Sequence, residues 1–143
     1  MRKKQNSKFL HTFIDNEVYS YTVGFFLCDQ PRMVKELMKR CKFSKKEEIE
    51  KIFPQLFDPA TGGYSFQLDR DEDNASIWFI WINTSHIHYY LFINNMIAHE
   101  SFHVIKNYLV EKGILLSDET EECYAYNLGW LVGKIHELIG DSK

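Results

Sequence analysis

The apolar positions of this chain change period several times, and each change marks an element. Residues 1–16 read as a polar, flexible tail. Val18-Tyr19-Ser20-Tyr21-Thr22-Val23 is rich in β-branched and aromatic residues and stays apolar through Gly24 to Leu27, which predicts a first strand. Asp29 is an N-cap candidate with Pro31 in the first helical turn. Met33, Val34, Leu37, Met38 and Cys41 then recur at helical spacing to about Lys42. Ser44-Lys45-Lys46-Glu47 has capping-box spacing, and Ile49, Ile52 and Phe53 continue a second helix until Pro54.

After the turn residues Pro59 to Gly63, Tyr64-Ser65-Phe66-Gln67-Leu68 alternates apolar with polar, as a half-exposed strand does. Asp69 to Asn74 is a charged turn, and Ser76 to Ile82 is the returning strand of a hairpin. Asn83-Thr84-Ser85 offers N-caps for a long helix with an apolar stripe at Ala98, Phe102, Ile105 and Leu109. Gly113 followed by apolar Ile114 ends it. Ser117-Asp118-Glu119 starts a last helix through Tyr124, Leu128, Leu131, Ile135 and Leu138. The order β–α–α–β–β–α–α predicts an α+β fold, with a short antiparallel sheet against the last two helices and one domain over residues 17–143.

Composition narrows the function classes. With 143 residues and 45% hydrophobic content, one domain can bury a real core. A net charge of −3 argues against a nucleic-acid surface. No apolar run reaches the length of a membrane span: Tyr89 to Ile97 is broken by Asn94-Asn95 and closed by His99-Glu100. Phe9 to Asp15 is too short and too polar for a secretory h-region. Cys28, Cys41 and Cys123 are odd in number and lack C-x-x-C spacing, so neither a disulfide framework nor a cysteine zinc site is expected. A cytoplasmic protein with reduced thiols is the expectation.

The candidate chemistry lies in His99-Glu100-Ser101-Phe102-His103, an H-E-x-x-H motif inside the long helix. Histidines four residues apart emerge one above the other on a helix, so both rings can reach one Zn²⁺, with Glu100 set to act on a water activated there. Chance yields this pattern in roughly one chain in fifty of such composition, so its setting has to carry weight too. A catalytic zinc site usually has three protein ligands. His86 and His88 read as surface or packed histidines, and His136 lies far along the last helix. The acidic residues opening that helix are nearer candidates: Asp118, Glu119, Glu121 and Glu122. Glu121 shares a stripe with Tyr124, Leu128, Leu131, Ile135 and Leu138. Glu122 shares one with Ala125, Gly129, Val132 and Gly133, and small residues let two helices approach closely. Phase therefore favours Glu122, with Glu121 left open.

Ala98-His99-Glu100-Ser101-Phe102-His103, the apolar stretch to Gly113, and Glu121-Glu122-Cys123-Tyr124-Ala125-Tyr126 resemble small phage- or prophage-encoded zincin-like metallopeptidases. In that family a minimal gluzincin core pairs H-E-x-x-H with a Glu early in the next helix. The resemblance covers about residues 76–135. It implies a zincin-like domain, Zn²⁺ held by His99, His103 and Glu122, a catalytic Glu100, and a peptide or protein substrate. Where larger gluzincins place an acid four residues after the Glu, this chain has Tyr126. The strand Ile77–Ile82 is expected to be a sheet edge that pairs with extended substrate. Its side chains would then divide between core and cleft, Trp78 and Ile80 to one side, Phe79 and Trp81 to the other. Tyr124, Tyr126, His88 and His136 are candidate oxyanion donors. The competing expectation is an interaction module whose zinc site is structural or vestigial, without turnover.

Overall fold

Segments of period two gather into one sheet, and segments of helical period cover its two faces. The computed structural model describes residues 10–29, 31–40, 50–52, 54, 58, 60–70, 75–86 and 90–141. The elements are β1 (Leu10–Asn16), β2 (Tyr21–Cys28), α1 (Pro31–Arg40), β3 (Gly63–Asp69), β4 (Ser76–Asn83), a 3-10 turn at Thr84–His86, α2 (Tyr90–Glu111) and α3 (Glu121–Asp141). The fold is α+β, as the period changes predict.

The strand order is β1-β2-β4-β3. β1 and β2 are antiparallel from Leu10↔Leu27 to Asn16↔Tyr21, and β3 and β4 are antiparallel from Gly63↔Ile82 to Asp69↔Ser76. β2 and β4 are parallel, with Val23 opposite Trp78. The sheet is therefore mixed, which corrects the antiparallel expectation. Parallel neighbours need a long crossover, and the chain supplies it between Cys28 and Ser76.

A second correction concerns β4. It is an interior strand hydrogen-bonded on both sides, and the sheet edges are β1 and β3. Its unbroken apolar run, Ile-Trp-Phe-Ile-Trp-Ile, is what a strand covered on both faces requires. Trp78 and Ile80 enter a core with Val23 and Phe25 of β2, Ile97 and Val104 of α2, and Leu131 and Ile135 of α3. Phe79 and Trp81 enter a second core on the other face with Phe26, Val34, Met38 and Ile52. All four side chains are buried, divided between two cores rather than between core and cleft.

Residues 10–16 form a strand rather than a tail. Ile14 turns into the core, and Asp15 accepts a 2.7 Å hydrogen bond from Thr22 Oγ1 across the hairpin. The Asn16 side chain accepts from the Tyr19 amide at 3.0 Å and so folds the connecting turn, where Ser20 adopts φ 55°. Val18 to Ser20 are used in that turn, and β2 starts at Tyr21. Ser44 to Glu47 lie outside the described residues. Residues 50–52 are helical, Ile52 is buried, and Pro54 has helical backbone too.

The helix ends follow local chemistry. Asn83 does not cap α2; its side chain accepts from the Ser85 amide at 3.0 Å and the Ser85 hydroxyl at 2.7 Å, closing the 3-10 turn. Gly113 (φ 78°) ends α2 in a Schellman motif, with Ile114 N donating to Leu109 O and Gly113 N to Val110 O, both at 2.9 Å. The Thr120 carbonyl accepts from the Cys123 and Tyr124 amides, so α3 opens after Thr120, later than the Ser117 start that the sequence suggests. Ser117 to Thr120 form a turn instead, held where Thr120 Oγ1 accepts from the Ser117 amide at 2.9 Å. No helix among the described residues is long and apolar enough to cross a membrane.

Candidate metal centre

The buried side of α2 runs through Ile97, Ser101, Val104, Ile105, Tyr108 and Leu109. Of the stripe expected from sequence, Ile105 and Leu109 are buried, whereas Ala98 and Phe102 are exposed. At about 100° per residue, this rotation carries His99 and His103 to the side of α2 opposite Ile97, Val104 and Tyr108. Both histidines are exposed, and they face each other. Their rings stand edge to face with centroids 4.7 Å apart, and their Nε2 atoms are 3.1 Å apart. Two imidazole nitrogens about 2.05 Å from one tetrahedral Zn²⁺ are about 3.3 Å apart. The pair therefore meets a zinc chord with an adjustment of a few tenths of an ångström, and one Nε2–H can donate to the other when the metal is absent.

Glu100 faces another way. It is 5% exposed. It lies against the start of edge strand β3, where a Cβ on Gly63 would stand 2.8 Å from Met96 Cε, 3.1 Å from Glu100 Cγ and 3.3 Å from Ile82 Cδ1. Its Oε1 is 4.0 Å from His99 Nε2. A buried carboxylate thus flanks the exposed histidine pair, between α2 and edge strand β3. Tyr64, the next residue of β3, feels the same charge: burial first and Glu100 second hold its hydroxyl above the usual tyrosine value. Sequence reasoning did not single out Tyr64 or Gly63. Their signal is the Gly62-Gly63-Tyr64 step from turn into edge strand.

Glu121 and Glu122 occupy the first turn of α3, where the helix dipole favours them, and both are exposed. The close-approach argument for Glu122 is corrected. α3 buries Tyr124, Asn127, Leu131 and Ile135, while Ala125, Gly129 and Gly133 face outward, with open space around both glycines, and of that stripe Val132 is half-buried against the core. The bulky stripe wins because Tyr124, Leu131 and Ile135 enter the core that α2 shares with the sheet. Among the described residues, no three His, Cys, Asp or Glu side chains converge as a metal cluster, so the histidine pair comes together and Glu122 is not gathered with it.

The oxyanion candidates also separate. Tyr124 is buried and its hydroxyl donates to Ile114 O at 2.7 Å. Tyr126 is exposed and lies against Tyr19, His136 is half-buried on α3, and His88 lies outside the described residues. A cavity of about 400 Å³ sits near the C-terminal end of α2, among Tyr21, Trp78, Tyr108 and Lys112, and includes no residue of the motif. Compared with known proteins, the chain matches no family model, no curated protein and no solved structure.

Proposed function

We propose that the protein is a zinc-dependent peptidase in which His99 and His103 supply two metal ligands and Glu100 is the general base. The observation that carries the reading is the 3.1 Å separation of the two Nε2 atoms beside a buried carboxylate. Zn²⁺, when bound, acidifies a water and polarises a carbonyl. Glu100 takes the proton of the attacking water and passes it to the leaving amine. Its burial, with Cγ close against Gly63, limits the orientations of the carboxylate, which favours proton transfer in one direction.

Edge strand β3 replaces β4 as the strand that receives substrate. It starts beside Glu100 and, among the described residues, pairs with a strand on one side only, so an extended peptide can add to the sheet on the other. Glu122 is the proposed third ligand, which requires the first turn of α3 to reach around to the outer side of α2. A catalytic role is favoured over a structural one because the two cores close around the sheet without the histidine pair. A metal on that exposed pair contributes little to the packing that holds the fold. The zincin-like classification, the phage-type relationship and a cytoplasmic setting with reduced cysteines belong to the same proposal.

The test is Glu100→Gln in the zinc-loaded chain, assayed against a fluorogenic peptide library. Zinc content stays at the wild-type level and turnover falls by about 10²–10⁴-fold, the usual span of general-base catalysis. A variant that cleaves as fast as wild type removes Glu100 from the mechanism.

A further inference from the structure

We propose that Gly63 is a positioning residue for Glu100: the space left by its missing side chain is where the carboxylate-bearing arm of Glu100 passes. This rests on the reading of Glu100 as the general base. The backbone of β3 is fixed at this point, because Gly63 pairs with Ile82 and the neighbouring Gly62 carbonyl accepts from the Asn83 amide at 2.9 Å. The strand start therefore does not drift away when a side chain is added.

A methyl group at position 63 meets three neighbours with different freedom. Met96 Cε, at 2.8 Å, is the end of a flexible side chain and can turn aside. Ile82 Cδ1, at 3.3 Å, belongs to a side chain that is fully buried in the core. Glu100 Cγ, at 3.1 Å, lies one bond beyond Cβ, so it moves only by rotation at χ1 or with the helix backbone. A few tenths of an ångström at Cγ becomes a larger swing at the carboxylate oxygens. Catalytic groups tolerate about 0.5 Å of misplacement before rate suffers, and about 1 Å can cost 10²-fold. Gly63 thus bears on the placement of the base, while the histidine pair, on a different side of α2, is left alone.

The experiment uses the full zinc-loaded chain with Gly63→Ala. The expected result is a crystal structure in which the separation of Glu100 Oε1 from His99 Nε2, 4.0 Å without metal, departs by about 0.5 Å or more from its value in the zinc-loaded wild type, with the fold retained. Zinc affinity stays within about threefold of wild type, kcat falls about tenfold or more, and KM changes less than about twofold. Ile82→Val removes the Cδ1 that crowds the new methyl, so Gly63→Ala/Ile82→Val is the second variant should the single one not fold. Glu100 in its wild-type place in a folded variant overturns the proposal. So does a loss of zinc affinity as large as the loss of kcat, because the damage is then to the histidines. If the wild-type chain hydrolyses no peptide, the peptidase reading fails, and the displacement of Glu100 in the variant structure still decides the role of Gly63.

Discussion

His99→Ala separates metal binding from folding. The His99 side chain is 62% exposed and lies outside both cores, so truncating it leaves the metal-free protein within about 0.5 kcal/mol of wild-type stability. Zinc affinity responds differently. Four-ligand structural zinc sites bind with about 10–16 kcal/mol, or about 3–4 kcal/mol per ligand, and the 3.1 Å Nε2 separation means little reorganisation is needed to use both rings. Loss of one ring weakens binding by about 10²–10³-fold on that scale. At free zinc equal to about 100 times the wild-type Kd, binding adds about 2.7 kcal/mol, which is about 8 °C in Tm for a chain of this size. At the same zinc concentration, the variant gains about 0.4 kcal/mol or less, about 1 °C. Thermal melts with and without buffered zinc measure both quantities. Equal zinc-induced shifts in wild type and His99→Ala refute chelation by this pair, and a metal-free variant that is itself unfolded refutes the claim that the site stands apart from the core.

Three further outcomes are expected. Glu122→Gln weakens zinc binding about tenfold or more while Glu121→Gln does not, measured by competition with a chromophoric chelator; equal affinities in both variants and wild type remove Glu122 from the ligand set. Gly113→Ala destabilises by about 1–2 kcal/mol in urea melts through its φ of 78° alone, since a Cβ there meets nothing within 4 Å; unchanged stability contradicts the Schellman assignment. Burial, opposed by the Asn16 hydrogen bond, pushes the Tyr21 hydroxyl up to about 12 from 10.0 in the open chain, so the folded state keeps its proton longer. Its contribution is complete below pH 10 and is lost as pH rises to about 12, on the order of 2–3 kcal/mol. Urea melts between those pH values therefore show a steeper loss in wild type than in Tyr21→Phe, and parallel slopes contradict this.

Local signals in the sequence are the ones the fold keeps. Gly113 before Ile114 ends α2 within one residue of expectation, because a C-cap depends on the φ freedom of one residue and on neighbouring amides. The hairpin of β3 and β4 follows from alternation on either side of a charged turn. Residues 10–16 are harder to read, because Ile14 becomes a core residue only once β2 is beside it. The start of α3 is harder still: Ser117 and Thr120 both qualify as caps, and a hydrogen bond between them makes a turn of one and a helix start of the other.

The sequence by itself determined the α+β class and the spacing that brings His99 and His103 onto one side of a helix, since both follow from periodicity and helical pitch. Tertiary structure alone decided which side of each helix is buried. α2 has apolar residues all around, with Phe102 and Val110 exposed, so two stripes competed until the sheet and α3 selected Ile97, Val104 and Tyr108. The same contacts turned the bulky stripe of α3 inward and Ala125, Gly129 and Gly133 outward, and they paired β4 on both sides. They also set Glu100 against Gly63, two residues 37 positions apart whose contact no local pattern encodes. Helical phase and strand order are settled by which surfaces exclude most water together, and that is a property of the assembled chain rather than of any one segment.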